Sequence, residues 1–255
     1  MRAYTVDALV LRTYRYGEAD RIVVFLTEDR GKKRGVAKNA TASRRRFGAA
    51  LEPFTRGRVA YVERESRELV RVDRIEPRQN PLRAAAGRTA GDAAHVLGHA
   101  AYFAELLDEW APEGAPNERL FRLGAAVSEA LPGTRSIAAL ARYFEYWLLR
   151  LEGVYPALEA CPRCGRATLQ HGAWLSLADR AYVCFECGQG RPRLSAEAIA
   201  FVRGLAGRTP VDVAAVTADS RVLKEIEDVH DRLMAGHLEK ELRSARVVRE
   251  LGPGL

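Results

Sequence analysis

The chain has 255 residues, of which 47% are hydrophobic and 29% are charged. This length suits one large domain or two to three small ones, and the composition excludes a disordered or a collagen-like chain. No uninterrupted apolar run approaches the roughly 18 residues that a membrane-spanning helix needs, so we expect no membrane partner. Because Asp7 interrupts the first short apolar stretch and no signal-peptide cleavage site follows, we expect a cytoplasmic protein.

The formal net charge of +7 is concentrated at the start of the chain. Residues 1–80 hold 19 basic and 11 acidic residues, a net charge of +8, whereas residues 81–255 hold 21 and 22, a net charge of −1. Within the first segment, residues 30–46 contain eight basic residues and no acidic one. A polyanion would be attracted by such a local positive potential. The charge distribution therefore predicts a nucleic-acid-binding surface in the first third of the chain.

Short strands separated by turns are indicated for the first 76 residues. The predicted strands are residues 4–10, 21–27, 32–38, 58–63 and 69–75, with a short helix or helical turn at 43–55 before the fourth strand. The helical turn is suggested by Phe47, Leu51 and Phe54, which recur at spacings of four and three. Three strands, a short helix and two further strands are the order of a small Greek-key β-barrel of the OB type.

After Pro77 and Pro81 the hydrophobic period changes from two to about three and a half. Apolar stripes of this period occupy residues 96–110, 120–127, 137–151 and 222–233, and Asn117 and Ser136 are suitable N-caps. The stripes predict an α-helical bundle of five or six helices. The fold class is therefore α+β multidomain: an OB-type barrel at 1–80, an α-helical domain at 81–159 and 192–255, and an inserted cysteine-rich module at 160–191.

All four cysteines lie in the inserted module, as the pairs Cys161 and Cys164, and Cys184 and Cys187. Two C-x-x-C pairs at this separation supply four thiolates that can surround one Zn²⁺ tetrahedrally, and a site without a water position is structural. The alternatives are disulfides, which a reducing cytoplasm disfavours, a redox C-x-x-C site, and an iron–sulfur cluster. We predict one structural Zn²⁺ and expect His171, between the pairs, to lie on the surface.

The candidate nucleic-acid-binding residues surround the third predicted strand and the helical turn. The basic candidates are Arg30, Lys32, Lys33, Arg34, Lys38, Arg44, Arg45 and Arg46. Such side chains would contact backbone phosphates and release counterions. Tyr14, Tyr16 or Phe47 could stack on bases, although packing in the barrel core is an equally good interpretation of the two tyrosines. Because no base-reading pattern is present, we expect DNA binding without sequence specificity.

Motifs typical of enzymes are absent from the sequence. It contains no phosphate-binding loop, dinucleotide-binding glycine motif, H-E-x-x-H zinc motif or nucleophile elbow. His95 and His99 are one helical turn apart but lack a third ligand nearby. Glu18 and Asp20 are more typical of caps or ion-pair partners than of a nuclease site. We predict that the protein is not an enzyme, with a metal-assisted nuclease as an alternative.

Several longer segments of the chain are distinctive when taken together: ALVLRTYRYGEADRIVVFLT at 8–27, GKKRGVAKNA at 31–40, SRRRF at 43–47, LEPFT at 51–55, and YFEYWLLRLEGVYP at 143–156 leading into CPRCG. These segments resemble the RecO family of bacterial DNA repair proteins. The resemblance covers most of the chain in order, and the N-terminal segments are specific as a set. It implies an N-terminal OB domain, an α-helical domain and a zinc-finger module, which not all members of the family keep.

The resemblance also implies a function in DNA repair and recombination. Proteins of this family bind single- and double-stranded DNA, anneal complementary strands, and help to load the recombinase RecA onto DNA coated by single-strand DNA-binding protein. The implied partners are RecR, single-strand DNA-binding protein and, indirectly, RecA, with a nucleoid location when DNA is bound. The alternative is a zinc-ribbon protein that binds structured RNA, because a basic barrel and a ribbon would suit that function as well.

Overall fold

The computed structural model describes residues 1–43, 45–167, 171–238 and 242–252. The chain divides into two compact units, of which the first combines residues 1–133 with the segment that begins at Leu242. The second unit comprises residues 134–241. The first unit thus contains helices as well as the N-terminal strands, and the predicted domain bounds at residues 80, 159 and 192 stay predictions.

The N-terminal strands form a closed five-stranded barrel. They are β1 (Arg2–Tyr16), β2 (Asp20–Thr27), β3 (Gly31–Ala37), β4 (Arg56–Glu63) and β5 (Val70–Gln79). Their order around the barrel is β1-β2-β3-β5-β4, and β3 pairs with β5 in parallel. This is the strand arrangement of an OB-type barrel, which confirms the predicted fold. A bulge between Val10 and Arg12 lets the long β1 pair with both β4 and β2.

The barrel interior is filled by alternate residues of its strands. Val10, Phe25 and Tyr61 lie in this core, and the segment after β3 contributes further side chains to it. That segment forms only a short 3₁₀ helix, Gly48–Leu51, where a short helix or helical turn is predicted. Phe47 is 2% exposed within the core, so the interpretation that it stacks on bases is corrected.

Eight helices occupy the described residues. They are α1 (Pro81–Ala85), α2 (Ala90–Trp110), α3 (Glu118–Ala130), α4 (Ile137–Leu151), α5 (Ala196–Leu205), α6 (Pro210–Ala214), α7 (Ser220–His237) and α8 (Arg243–Leu251). The predicted N-caps are confirmed, since Asn117 accepts a hydrogen bond from the backbone of Leu120 and Ser136 accepts one from Ala139. None of these helices combines the length and apolar character needed to cross a membrane.

In the first unit α2 and α3 pack against β1. Gly124 of α3 allows this close approach, because a Cβ there would lie 2.6 Å from the Leu9 side chain and 2.7 Å from that of Leu107. In the second unit α4 and α7 are joined by buried polar side chains: Glu145 bonds both Arg142 at 2.7 Å and His230 at 2.8 Å. The same unit contains a small sheet of β6 (Ala173–Ser176), β7 (Ala181–Val183) and β8 (Arg193–Leu194) in the order β7-β6-β8.

Candidate nucleic-acid interface and metal centre

A row of paired residues crosses the outer face of the barrel from β1 to β5. Tyr14 pairs with Ile22, Ile22 with Val36, and Val36 with Arg71. Paired residues of neighbouring strands lie on the same face of a sheet, so these four side chains share one side. Tyr14 is 38% exposed and Arg71 is also exposed, whereas Ile22 is buried. An aromatic ring and a guanidinium group therefore flank an apolar strip.

The rows on either side of this strip add further aromatic and basic groups. Arg12 pairs with Val24, which pairs with Arg34, and Arg34 is exposed. Tyr16 pairs with Asp20 in the row on the other side and is 50% exposed. The exposure of both tyrosines excludes packing in the barrel core, the alternative that the sequence left open. The outer face thus combines two aromatic rings with basic groups.

A concave site of about 740 Å³ lies beside Tyr16, between β3 and the loop that joins β4 to β5. Four of its lining residues are basic, namely Lys38, Arg64, Arg67 and Arg71, and two are acidic, namely Asp20 and Glu68. The lining therefore carries an excess of positive charge at the point where the ends of the strands meet the loop between β4 and β5. A flexible polyanion could enter such a groove and contact several cations at once.

Sequence reasoning missed Arg64, Arg67 and Arg71 as members of this surface. The loop sequence RESRE at 64–68 balances two basic residues against two acidic ones, so a search for uncompensated charge passes over it. The signal lies in the topology, because the loop between the last two strands of an OB-type barrel commonly contributes to its ligand site.

The structure separates the basic residues that the sequence grouped together. Lys32 is 8% exposed, and its ammonium donates to the backbone oxygen of Asp108 at 2.6 Å. Lys33 forms an ion pair with Glu63 at 2.9 Å and is 19% exposed. Arg30 lies over the ring of Tyr4 at 4.0 Å, at the opposite end of β3 from Lys38. These three cations are engaged within the fold, and Lys32 is inaccessible to a phosphate.

Of the arginines after β3, Arg46 lies beside Lys38. Arg45 is exposed, whereas Arg46 donates to the Ser43 hydroxyl and to the backbone oxygen of Lys38, each at 2.8 Å. The guanidinium of Arg46 also lies 5.0 Å from the ring centre of Phe47. Arg44 falls outside the described residues. Of the described members of the predicted basic set, Arg34, Lys38 and Arg45 are therefore the exposed ones, and Lys38 lines the concave site together with Tyr16.

The four cysteines of the second unit converge on one point. Their sulfur atoms all lie within 4.8 Å of one another, and the Sγ atoms of Cys164 and Cys184 are 3.7 Å apart. A tetrahedron with Zn–S bonds of about 2.3 Å has edges of about 3.8 Å, so this spacing fits a thiolate site for Zn²⁺. All four are free cysteines rather than disulfides. The arrangement could hold one metal ion.

Hydrogen bonds and ion pairs hold the two cysteine pairs in place. Within each pair, the backbone N–H of the glycine that follows closes the turn: Gly165 donates to the backbone oxygen of Cys161 at 2.8 Å, and Gly188 donates to that of Cys184 at 3.1 Å. Arg163 donates to the backbone oxygen of Cys187, and Arg166 forms an ion pair with Glu186, so each arginine of the first pair reaches the second. These contacts prearrange the sulfurs and place positive charge beside the thiolates.

The thiols of this cluster differ in their readiness to ionise. Burial opposes ionisation of Cys161, but backbone N–H groups, that of Cys184 foremost, outweigh it and lower its pKa to about 6. Contacts with Cys164 and Cys184 instead raise the pKa of Cys187 to about 12. Four thiolates so close together repel one another, and a divalent cation is the group that would hold them all ionised.

The remaining candidates from the sequence occupy ordinary structural positions. His171 is exposed, as expected. Asp20 accepts a hydrogen bond from the backbone N–H of Asn39 at 2.8 Å, which fits a turn-stabilising role. His99 contacts the backbone oxygen of His95 at 2.8 Å. Among the described residues, the four cysteines are the only cluster of three or more potential metal ligands.

The fold and its sites define a class of multidomain protein. Its members combine an OB-type barrel that has a basic and aromatic outer face with helices and a four-cysteine module. Comparison with known proteins identifies the family. The family model described as recombination protein O N terminal matches residues 1–81, and its C-terminal counterpart matches residues 93–246. The chain belongs to the RecO family of DNA repair proteins.

Individual RecO proteins align with nearly the whole chain. The chain is 34% identical to the DNA repair protein RecO of Koribacter versatilis, over 96% of this chain and 98% of the relative. It is 34% identical to the RecO of Geobacter sulfurreducens, over 99% and 100%, and 35% identical to that of Pelobacter propionicus, over 98% of each. Family membership supports a role in DNA repair and does not favour the alternative of an RNA-binding ribbon protein.

Proposed function

We propose that the outer face of the barrel binds single-stranded DNA by its backbone and stacks bases on Tyr14 and Tyr16. The observation that carries this proposal is the concave basic site beside Tyr16, lined by Lys38 and the arginines of the β4–β5 loop. Phosphates would follow the cations of this groove while the two rings accept bases of any identity. The binding is therefore independent of sequence.

Annealing follows from the way in which the strand is held. Contacts to phosphates and to base faces leave the hydrogen-bonding edges of the bases available to a complementary strand. The basic surface also reduces the repulsion between two approaching polyanions. This step requires no nucleotide hydrolysis, in keeping with the lack of a phosphate-binding loop in the sequence.

The family suggests the wider setting of this activity. By that analogy the protein binds double-stranded DNA as well, cooperates with RecR and with single-strand DNA-binding protein, and assists RecA loading in the cytoplasm, at the nucleoid when DNA is bound. Family membership alone supports these partners. The chemistry of the barrel face accounts for the contact with DNA, and it includes no catalytic step.

The metal that suits the four-cysteine cluster is Zn²⁺. Cys161, Cys164, Cys184 and Cys187 would each supply one thiolate, and a set of four thiolates leaves no coordination position for a substrate or water. The ion would supply a structural crosslink between two chain segments. A module of about 30 residues cannot bury enough apolar surface to fold independently, so such a crosslink would stabilise it.

The binding proposal is tested by exchanging three cations of the groove for neutral residues. In the triple variant Lys38→Gln, Arg67→Gln and Arg71→Gln, affinity for a single-stranded oligonucleotide should fall. The slope of log K against log salt should shrink by about 2, since each phosphate contact contributes about 0.7. The matched control exchanges Arg58, Arg74 and Arg78, which are exposed on the same barrel but outside this groove.

The control removes the same charge from other exposed positions of the barrel, so it separates local contacts from the overall field. Equal losses in the two variants, or an unchanged slope in the groove variant, would contradict the proposed surface. Fluorescence anisotropy at several salt concentrations measures both quantities.

A further inference from the structure

The C-terminal helix α8 lies on α2 although none of its own residues is fully buried. Its first turn is capped by Glu105 of α2, which accepts hydrogen bonds from the backbone N–H groups of Arg243 at 3.2 Å and Ser244 at 2.8 Å. At its other end, Leu251 lies over Gly98, where an added Cβ would be 3.0 Å from the leucine side chain. The helix therefore runs antiparallel to α2 and is tied to it at both ends.

One side of α8 carries a row of arginines. Arg243, Arg246 and Arg249 are three residues apart, which places them on neighbouring positions of one helix face, and all three are exposed. The acidic residue of the helix, Glu250, lies 3.5 Å from Arg246, and both side chains are about 70% exposed. A solvent-exposed pair of this kind is weak, so a phosphate could replace the carboxylate at little cost.

The arginine row begins near the outer face of the barrel. Glu105, which caps α8, precedes Asp108 by three residues on α2, a rise of about 4.5 Å. Asp108 in turn bonds Arg12 of β1, which belongs to the same row of the barrel face as Arg34. From this point the row on α8 follows α2 toward Gly98.

We propose that α8 is a second phosphate-binding element, which extends the DNA-binding surface beyond the barrel. This inference rests on the proposed function of the barrel face. The ligand is the backbone of a nucleic-acid strand longer than the stretch that the barrel holds. Because the row presents guanidinium groups without aromatic neighbours on the helix, it would contact phosphates and read no bases.

The test uses the full chain with Arg243→Gln, Arg246→Gln and Arg249→Gln together. Glutamine preserves helix propensity, and amide hydrogen exchange of α8 verifies that the helix persists. The control variant exchanges Arg83, Arg119 and Arg122, three exposed arginines on other helices of the same unit. Anisotropy is measured with oligonucleotides of about 12 and about 40 nucleotides, one near the site size of a single barrel and one well beyond it.

For the long oligonucleotide, the slope of log K against log salt should be smaller by about 2 in the α8 variant than in the unaltered protein. The affinity of the variant should be at least about tenfold lower. Its binding to the short oligonucleotide should match that of the unaltered protein. An unchanged slope with the long strand, or an equal loss in the control, would overturn the role of α8 and leave the barrel proposal intact. Failure of the unaltered protein to bind the short strand would overturn the barrel proposal and, with it, this inference.

Discussion

The buried ammonium of Lys32 donates a hydrogen bond to the backbone oxygen of Asp108 at 2.6 Å, and it lies 3.3 Å from a carboxylate oxygen of the same residue. Lys32 is on β3 and Asp108 is near the end of α2, so this contact joins the barrel to its helix. Arg12 bonds the other carboxylate oxygen of Asp108. A lysine within the most basic stretch of the sequence thus stabilises the fold of the first unit.

Replacement of this lysine should affect stability and leave DNA affinity nearly unchanged. Lys32→Met keeps the aliphatic volume but leaves Asp108 with one cation, so the first unit should lose about 3 kcal/mol of its free energy of unfolding. Lys38→Met, an exposed change, should do the reverse and weaken binding to single-stranded DNA with little effect on stability. Urea unfolding followed by amide exchange of the barrel strands, alongside anisotropy, measures both. Equal DNA affinity losses would contradict the assignment of Lys32.

The two exposed tyrosines should contribute to affinity through their rings. Tyr14→Ala and Tyr16→Ala should each weaken binding of single-stranded DNA by about 1 to 3 kcal/mol, because each removes one stacking platform. Tyr14→Phe and Tyr16→Phe should bind nearly as well as the unaltered protein, since the ring is retained. The salt dependence should be the same in all four variants. Loss of affinity in the phenylalanine variants would point to the hydroxyl groups instead of stacking.

Loss of one cysteine should unfold the metal-binding module while the barrel stays folded. Cys161→Ser removes a thiolate that is 1% exposed, so the protein should no longer retain one Zn²⁺ per chain, and residues 160–191 should become sensitive to protease. His171→Ser, an exposed change in the same module, is the control and should retain the metal. Binding of single-stranded DNA should persist in both variants. Full zinc content and unchanged proteolysis in Cys161→Ser would contradict the site.

The second unit should become less stable as the pH falls below about 6.5. Burial, which outweighs the hydrogen bond that the ring donates to Glu145, lowers the pKa of His230 from its ordinary value of 6.5. The unfolded chain therefore takes up a proton below that pH before the folded chain does, which favours unfolding by up to about 1.4 kcal/mol per pH unit. Above pH 6.5 the residue is neutral in both states and contributes no slope.

Thermal unfolding from pH 8 to pH 5, with zinc content measured at each pH, tests this expectation. His230→Asn should flatten the decline, and His237→Asn, at an exposed position, should retain it. A resonance of His230 that titrates at or above pH 6.5 would contradict the assigned direction.

Local patterns predicted the elements whose partners lie nearby in sequence. The C-x-x-C spacing alone brought Cys161, Cys164, Cys184 and Cys187 together, because each pair forms its own turn. Alternating apolar residues likewise predicted β1, and a continuous run of β-branched and aromatic residues predicted β2. The caps Asn117 and Ser136 followed from their position before an apolar stripe.

Contacts between residues that are distant in sequence determine which basic side chains are accessible, and the sequence alone did not predict them. Adjacent positions of β3 face opposite sides, so Lys33 pairs with the interior residue Phe25 while Arg34 pairs with Val24 on the outer face. Lys32 shares the outer face with Arg34, yet it is covered by α2, whose Asp108 lies 76 residues later in the chain. A count of basic residues along the chain treats these three positions as equivalent.

The central claim is that the barrel face holds one DNA strand by its backbone and leaves its bases free to pair. The most direct measurement is the annealing rate of complementary oligonucleotides that are coated with single-strand DNA-binding protein. The unaltered protein should accelerate pairing, and the variant Lys38→Gln, Arg67→Gln and Arg71→Gln should lose most of that acceleration while the control at Arg58, Arg74 and Arg78 keeps it. No acceleration by the unaltered protein, or full acceleration by the groove variant, would contradict the account.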